Sequence, residues 1–112
     1  IGLGYLPDDR LPLLVSALDV ACVVTADTAF GRYSYPAKLC EAMAAGVPVV
    51  ATATPALRWM LGDNAGHLVP LGDADAFAGR ALALLQRPEA DYPPQPDWKE
   101  LAVRLQGWLA AK

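Results

Sequence analysis

Short apolar runs rich in β-branched residues, each followed by a stretch of helical period, restrict this chain more than any other feature. The runs are Asp19–Thr25, Val47–Thr52 and Gly66–Val69. The first two are nearly continuous in apolar character instead of alternating, as expected of strands covered on both faces. Such strands, separated by helices, need right-handed crossovers and line up as a parallel sheet with helices on each side. The expected class is therefore α/β, and 112 residues leave room for one domain.

The helices carry their own punctuation. Pro7-Asp8-Asp9 is expected to open the first, in which Leu11, Leu14, Val15 and Leu18 recur at i, i+3, i+4 and i+7. A polar loop is expected from Ala26 to about Tyr35. Pro36 suits the first turn of the next helix, and Gly46 supplies its left-handed stop after Ala45. Pro48 then stands at the start of a strand. Thr54-Pro55 opens a short helix to about Leu61, closed by Gly62-Asp63-Asn64. Asp73 caps a further helix, Asp75 complements its dipole, and Ala74, Phe77, Ala78, Ala81, Leu82 and Leu85 form its apolar stripe. Residues 1–87 thus read as one unit. Residues 88–96 hold four of the ten prolines and read as an extended surface linker, followed by a terminal helix over 97–112. In that helix Asp97 and Glu100 approximate a capping box, and Trp98, Leu101, Ala102, Leu105, Trp108 and Leu109 share one face that needs something to pack against. The two tryptophans read as packing anchors.

Composition removes several classes of function. With 54% hydrophobic and 19% charged residues the chain is no disordered tail. Nine Lys and Arg against twelve Asp and Glu leave a formal charge of −3, and the cations are scattered, so no nucleic acid partner is expected. Two cysteines without a CxxC exclude a disulfide scaffold; Cys22 and Cys40 are expected to be reduced and buried. The apolar runs are too short or too polar to span a bilayer, and the start shows neither a signal peptide nor an initiator Met. A piece of a longer cytoplasmic protein is the expectation.

Ligands of open parallel sheets bind outside the carboxyl ends of the strands. Here the longest strand-to-helix connection carries Asp27, Thr28, Gly31, Arg32, Tyr33 and Ser34 and delivers the chain to the Pro36 helix, whose first-turn N–H groups favour phosphate. On that helix Lys38 can reach a phosphate over the terminus, and Glu41, one turn deeper, can accept two hydroxyls of a ribose. The same pair at i, i+3 also reads as a solvated ion pair worth a few tenths of a kcal/mol. Arg32 reads equally as a phosphate contact or a solvated loop cation. Thr25 lies at the strand end, within reach of a ligand. His67, the single histidine, has no orienting partner in sequence and reads as structural or solvent-facing. There is no carboxylate cluster for a metal.

The stretch Tyr35-Pro36-Ala37-Lys38-Leu39-Cys40-Glu41-Ala42-Met43-Ala44-Ala45-Gly46-Val47-Pro48-Val49-Val50-Ala51-Thr52 resembles the nucleotide-sugar-binding core of GT-B-fold glycosyltransferases of group 1, the family-4-like kind. Leu3-Gly4-Tyr5-Leu6-Pro7, Ala17-Leu18-Asp19-Val20 and Gly66-His67-Leu68-Val69-Pro70 are similar to the family's flanking segments. The resemblance implies that residues 1–87 are the second half of a Rossmann-like, C-terminal donor-binding domain, and that the terminal helix crosses back onto the other domain. It implies a transferase moving a sugar from a nucleotide-sugar donor, such as a UDP- or GDP-sugar, to an acceptor hydroxyl. Glu41 matches the acid that binds the donor ribose; Ser34, Tyr35, Pro36 and Lys38 match the diphosphate segment, with Arg32 beside it. No cofactor is implied, the donor being itself a substrate, and no catalytic residue is assigned. Many members carry an acid where this chain has Tyr33. The acceptor domain and the first half of the donor domain are not in this sequence, so the chain alone is expected to be inactive. The parent is placed in the cytoplasm, peripheral to the inner membrane. The alternative is a non-enzymatic nucleotide-binding module, or one that self-associates through a bared sheet edge.

Overall fold

A computed structural model describes residues 2–64 and 66–112. In chain order the elements are α1 (Leu11–Ser16), β1 (Ala21–Val23), α2 (Ala29–Tyr33), α3 (Ala37–Ala44), β2 (Val49–Thr52), α4 (Pro55–Leu61), β3 (Leu68–Val69), α5 (Ala74–Gln86) and α6 (Trp98–Ala110). The strands form one parallel sheet in the order β1-β2-β3, with Ala21 opposite Val49 and Ala51 opposite Leu68. The α/β class and the parallel sheet flanked by helices are as the sequence implies.

β2 is the middle strand, and all its residues are buried. Its side chains alternate between two cores, as a strand's must. Val49 and Ala51 join Val23, Leu39, Met43, Leu57, Met60 and Leu61 under α3 and α4; Val50 joins Val69 and Leu84 under α5. The helix signals around β2 work as read. Gly46 takes φ 66 after α3, Thr54 Oγ1 accepts from Leu57 N at the start of α4, and Gly62 ends α4 in the left-handed region. Asp73 Oδ1 accepts from Ala76 N at 2.8 Å to cap α5.

Several expectations need correction. The first helix begins at Leu11, because Pro7–Arg10 closes as a turn with Arg10 N donating to Pro7 O. β1 is not covered on both faces. It is an edge strand, and Cys22, in register with Val50, points to the α5 side, where α5 packs against β2 and β3. Cys22 is therefore exposed, and Cys40 only half-buried, so neither thiol lies in the core. The Ala26–Tyr35 loop contains a helix, α2, because Thr28 Oγ1 accepts from Gly31 N at 3.0 Å and caps it. On α5 only Leu84 is buried, with Ala76, Phe77 and Ala81 partly buried beside it, while Leu82 and Leu85 are exposed.

Residues 88–96 are extended, yet Tyr92 among them packs against the core of β2 and donates to Val47 O at 2.5 Å. Beyond them no residue of α6 is buried. Trp98 and Trp108 are 88% and 71% exposed, so within this chain neither anchors anything. No helix among the described residues is long and apolar enough to cross a membrane.

Candidate functional site

The carboxyl ends of β1 and β2 are fastened together by one side chain. Thr52 Oγ1 accepts from Thr25 N at 2.9 Å and donates to Thr25 O at 3.3 Å. Thr25 thus serves the strand junction through its backbone. From there the chain turns into α2, which lies so close to the preceding loop that a Cβ on the buried Gly31 would sit 2.0 Å from Ala26 O. Arg32 Nε meets Asp27 Oδ1 at 2.6 Å across this turn. The hydrogen bond and charge of Arg32 hold the Asp27 carboxyl below its ordinary range, and the Asp27 carboxylate raises Arg32 in return. Both side chains remain about half exposed, so the pair fixes loop geometry more than it stabilises the fold. Arg32 is consequently engaged by Asp27 and does not stand free over the terminus of α3.

α2 ends at Ser34, which is extended (φ −70, ψ 132). Tyr35 and Pro36 carry the chain to α3. Pro36 is the N-cap residue, with ψ 106, and no side chain caps this helix. α2, α4, α5 and α6, by contrast, are capped by Thr28, Thr54, Asp73 and Asp97. The first N–H groups of α3 therefore face outward with the positive end of the helix dipole behind them. The Tyr35 ring lies 6.4 Å from that of Trp59, and its hydroxyl accepts from Cys40 Sγ at 3.3 Å. That contact, with burial, raises the Tyr35 phenol above its ordinary range.

Lys38 and Glu41 are both exposed on α3, and among the described residues neither enters an ion pair. The solvated Lys–Glu pair is thus not what the structure contains. Glu41 instead lines a cleft of about 550 Å³ between α1 and α3, whose walls are Leu11, Pro12 and Val15 with Asp8 and Ser16 beside them. Asp8 was not singled out from sequence as a site residue; its only signal was the acidic start assigned to the first helix.

Tyr33 is exposed on α2. His67 lies at the opposite, amino-terminal edge of the sheet, just before β3, and is fully buried. Among the described residues no three His, Cys, Asp or Glu side chains gather into a metal-holding group.

Residues 1–87 match the family described as Glycosyl transferases group 1. The chain is 41% identical over 85 residues to the phosphatidyl-myo-inositol mannosyltransferase of Mycobacterium leprae (strain TN), an alignment covering 75% of this chain and 22% of that protein. The protein of the same name from Mycolicibacterium smegmatis is 38% identical over 85 residues, 75% of this chain and 21% of its own length. The O-antigen chain mannosyltransferase B of Escherichia coli is 33% identical over 101 residues, covering 90% and 23%. The chain spans about a fifth of the length of these curated relatives. No solved structure matches.

Proposed function

The chain belongs to the group 1 glycosyl transferases, and from that membership we propose that it carries the nucleotide-sugar donor site of a longer enzyme. The observation that carries this reading is the start of α3: a helix terminus without a side-chain cap, at the carboxyl edge of the sheet, with Lys38 and Glu41 on it in no ion pair among the described residues. The donor diphosphate lies over the amides of Ser34, Tyr35, Ala37 and Lys38, with the Lys38 ammonium beside it. Glu41 accepts the ribose hydroxyls. The attached base enters the cleft beside Glu41, where Leu11, Pro12 and Val15 cover its faces and Asp8 offers an acceptor for ring or amino N–H groups. Arg32 joins the diphosphate only by leaving Asp27.

In the transfer, the bond between the anomeric carbon and the diphosphate oxygen breaks, and its electron pair stays on the diphosphate. The acceptor hydroxyl oxygen bonds to that carbon, and its proton passes to the departing diphosphate. This chain's share is to stabilise the charge growing on the departing diphosphate; a single well-placed donor of this kind is worth about 3–4 kcal/mol of barrier. Relatives named as mannosyltransferases make a mannose donor the first to test. The acceptor-binding part and the remainder of the donor domain belong to the parent, which also covers the apolar face of α6. The unpaired outer edge of β1 favours a second, weaker role for the isolated chain, pairing with a copy of itself. The whole enzyme works at the cytoplasmic side, peripheral to the membrane, in keeping with a relative named for a phosphatidylinositol acceptor.

The test is Glu41→Gln in the full-length protein, assayed against UDP-, GDP- and ADP-sugars. Loss of charge-assisted bonds to the ribose, about 1.5–3 kcal/mol, raises the donor KM roughly tenfold or more with the fold intact. An unchanged donor KM removes the ribose assignment.

A further inference from the structure

His67 is the buried titratable group that the donor site does not use. Its side chain is completely inaccessible. Nδ1 lies 2.9 Å from Val49 O; a carbonyl can only accept, so Nδ1 carries the hydrogen. That leaves Nε2 with a lone pair and no partner, the one such buried side-chain atom among the described residues. The ring of Tyr92 packs against the imidazole, centroid to centroid 4.8 Å, and the Tyr92 hydroxyl reaches on to Val47 O. Residues 88–96 are therefore strapped across the amino-terminal edge of the sheet by a contact with a buried imidazole whose Nε2 has no hydrogen-bond partner. Among the described residues no group hydrogen-bonds to Nε2. Arg80, from α5, is a cation donating to Gly66 O, and it engages Glu89, the nearest carboxylate on the strap, at 3.3 Å. Asp91 meets the neighbouring turn through its backbone carbonyl, which accepts from Asn64 Nδ2. β2 presents only the Val49 carbonyl, already taken by Nδ1.

We propose that His67 and Tyr92 form a proton-sensitive latch: acidification that places a hydrogen on Nε2 expels the Tyr92 strap while the sheet stays folded. The release follows because a buried N–H⁺ without an acceptor is among the costliest arrangements a core can hold, whereas undocking exposes it to water. Tyr92 itself cannot be the switch, since burial pushes its phenol up to about 12. The device is independent of the donor site, which lies at the other edge of the sheet.

Limited proteolysis of residues 88–96 at about pH 7.5 and about pH 5.5, either side of the ordinary imidazole range and with protease activity normalised at each pH, tests it. Cleavage within residues 88–96 rises about tenfold at the lower pH, while β2 stays uncut. His67→Phe, aromatic but without a proton site, keeps the strap equally protected at both. Strap protection that does not change with pH, or a loss in His67→Phe equal to that of the native chain, overturns the latch. Imidazole NMR of the native chain gives a readout that needs no variant. Nε2 takes up its proton in the same step that shifts the Tyr92 ring signals; protonation with Tyr92 unmoved refutes the proposal.

Discussion

Alanine at position 31 is the sharpest single perturbation of the donor loop. Gly31 is buried in the middle of α2, and its backbone is in the ordinary helical range, so alanine meets no conformational obstacle there. The obstacle is space. The added Cβ would stand 2.0 Å from Ala26 O and 2.9 Å from Thr25 Cγ2, where real contacts essentially never fall under 3.0 Å. α2 must therefore lift by about 1 Å, the difference between those two distances. Overpacking of this degree costs about 1–3 kcal/mol. The lift also stretches the 3.0 Å bond from Gly31 N to Thr28 Oγ1, a cap whose loss is worth about 1 kcal/mol. We expect Gly31→Ala to lower stability by about 2–4 kcal/mol, or to melt α2 locally and so displace Ser34 and Pro36. Gly107→Ala is the control: it lies within α6 with nothing near its Cβ position, and should stabilise that helix by about 0.5–1 kcal/mol. Urea unfolding gives the global change, and amide exchange at residues 28–33 gives the local one. If Gly31→Ala unfolds at the native urea midpoint with α2 amides still protected, the close approach described here is wrong.

Other perturbations probe neighbouring joints. Thr52→Val removes the hydroxyl that fastens β1 to β2 and leaves Thr25 N–H and C=O without it; a loss of about 1–3 kcal/mol is expected by chemical denaturation, most of it restored in Thr52→Ser. Asp27→Asn releases Arg32, so donor titration should show tighter diphosphate binding, while Arg32→Ala weakens it; no change in either drops Arg32 from the site. Because the folded Asp27 carboxyl is held low by Arg32, this ion pair contributes above the ordinary Asp range and is lost as pH falls through the lowered folded value. Loop signals at residues 27–33 should therefore titrate below pH 3.8, the unperturbed value, and Arg32→Ala should return the transition to it. Tyr92→Phe should cost about 1 kcal/mol and loosen residues 88–96 at every pH, as seen by limited proteolysis.

The sheet, α3 and α4 were legible because their signals are local. Pro36 and Gly46 bracket α3, and Thr54 and Gly62 bracket α4, each through a bond or dihedral made within a few residues. What escaped was set by distant neighbours. The apolar run of β1 is the same whether or not a helix lies over Cys22, and only the reach of α5 decides its exposure. Alanines recur around α5, so its apolar stripe had no unique phase until Phe77 and Leu84 met Val50 and Val69. α2 is too short to show a period, and its glycine speaks against a helix until the approach to Ala26 is seen. Tyr92 sits among prolines and acids that read as solvated, and its partner Val47 is far away in sequence. For the site, Lys38 and Glu41 were visible in the motif. Arg32's engagement with Asp27 and the cleft linking Glu41 to Asp8 arise only from folding.

Amide chemical-shift mapping with a nucleoside diphosphate tests the donor-site assignment most directly. The shifts should concentrate at Ser34, Tyr35, Ala37, Lys38 and Glu41, with Asp8 and Leu11 following through the cleft, and should be lost in Glu41→Gln and Lys38→Ala. Shifts that gather instead on α6 or around His67, or that survive both substitutions unchanged, would contradict it.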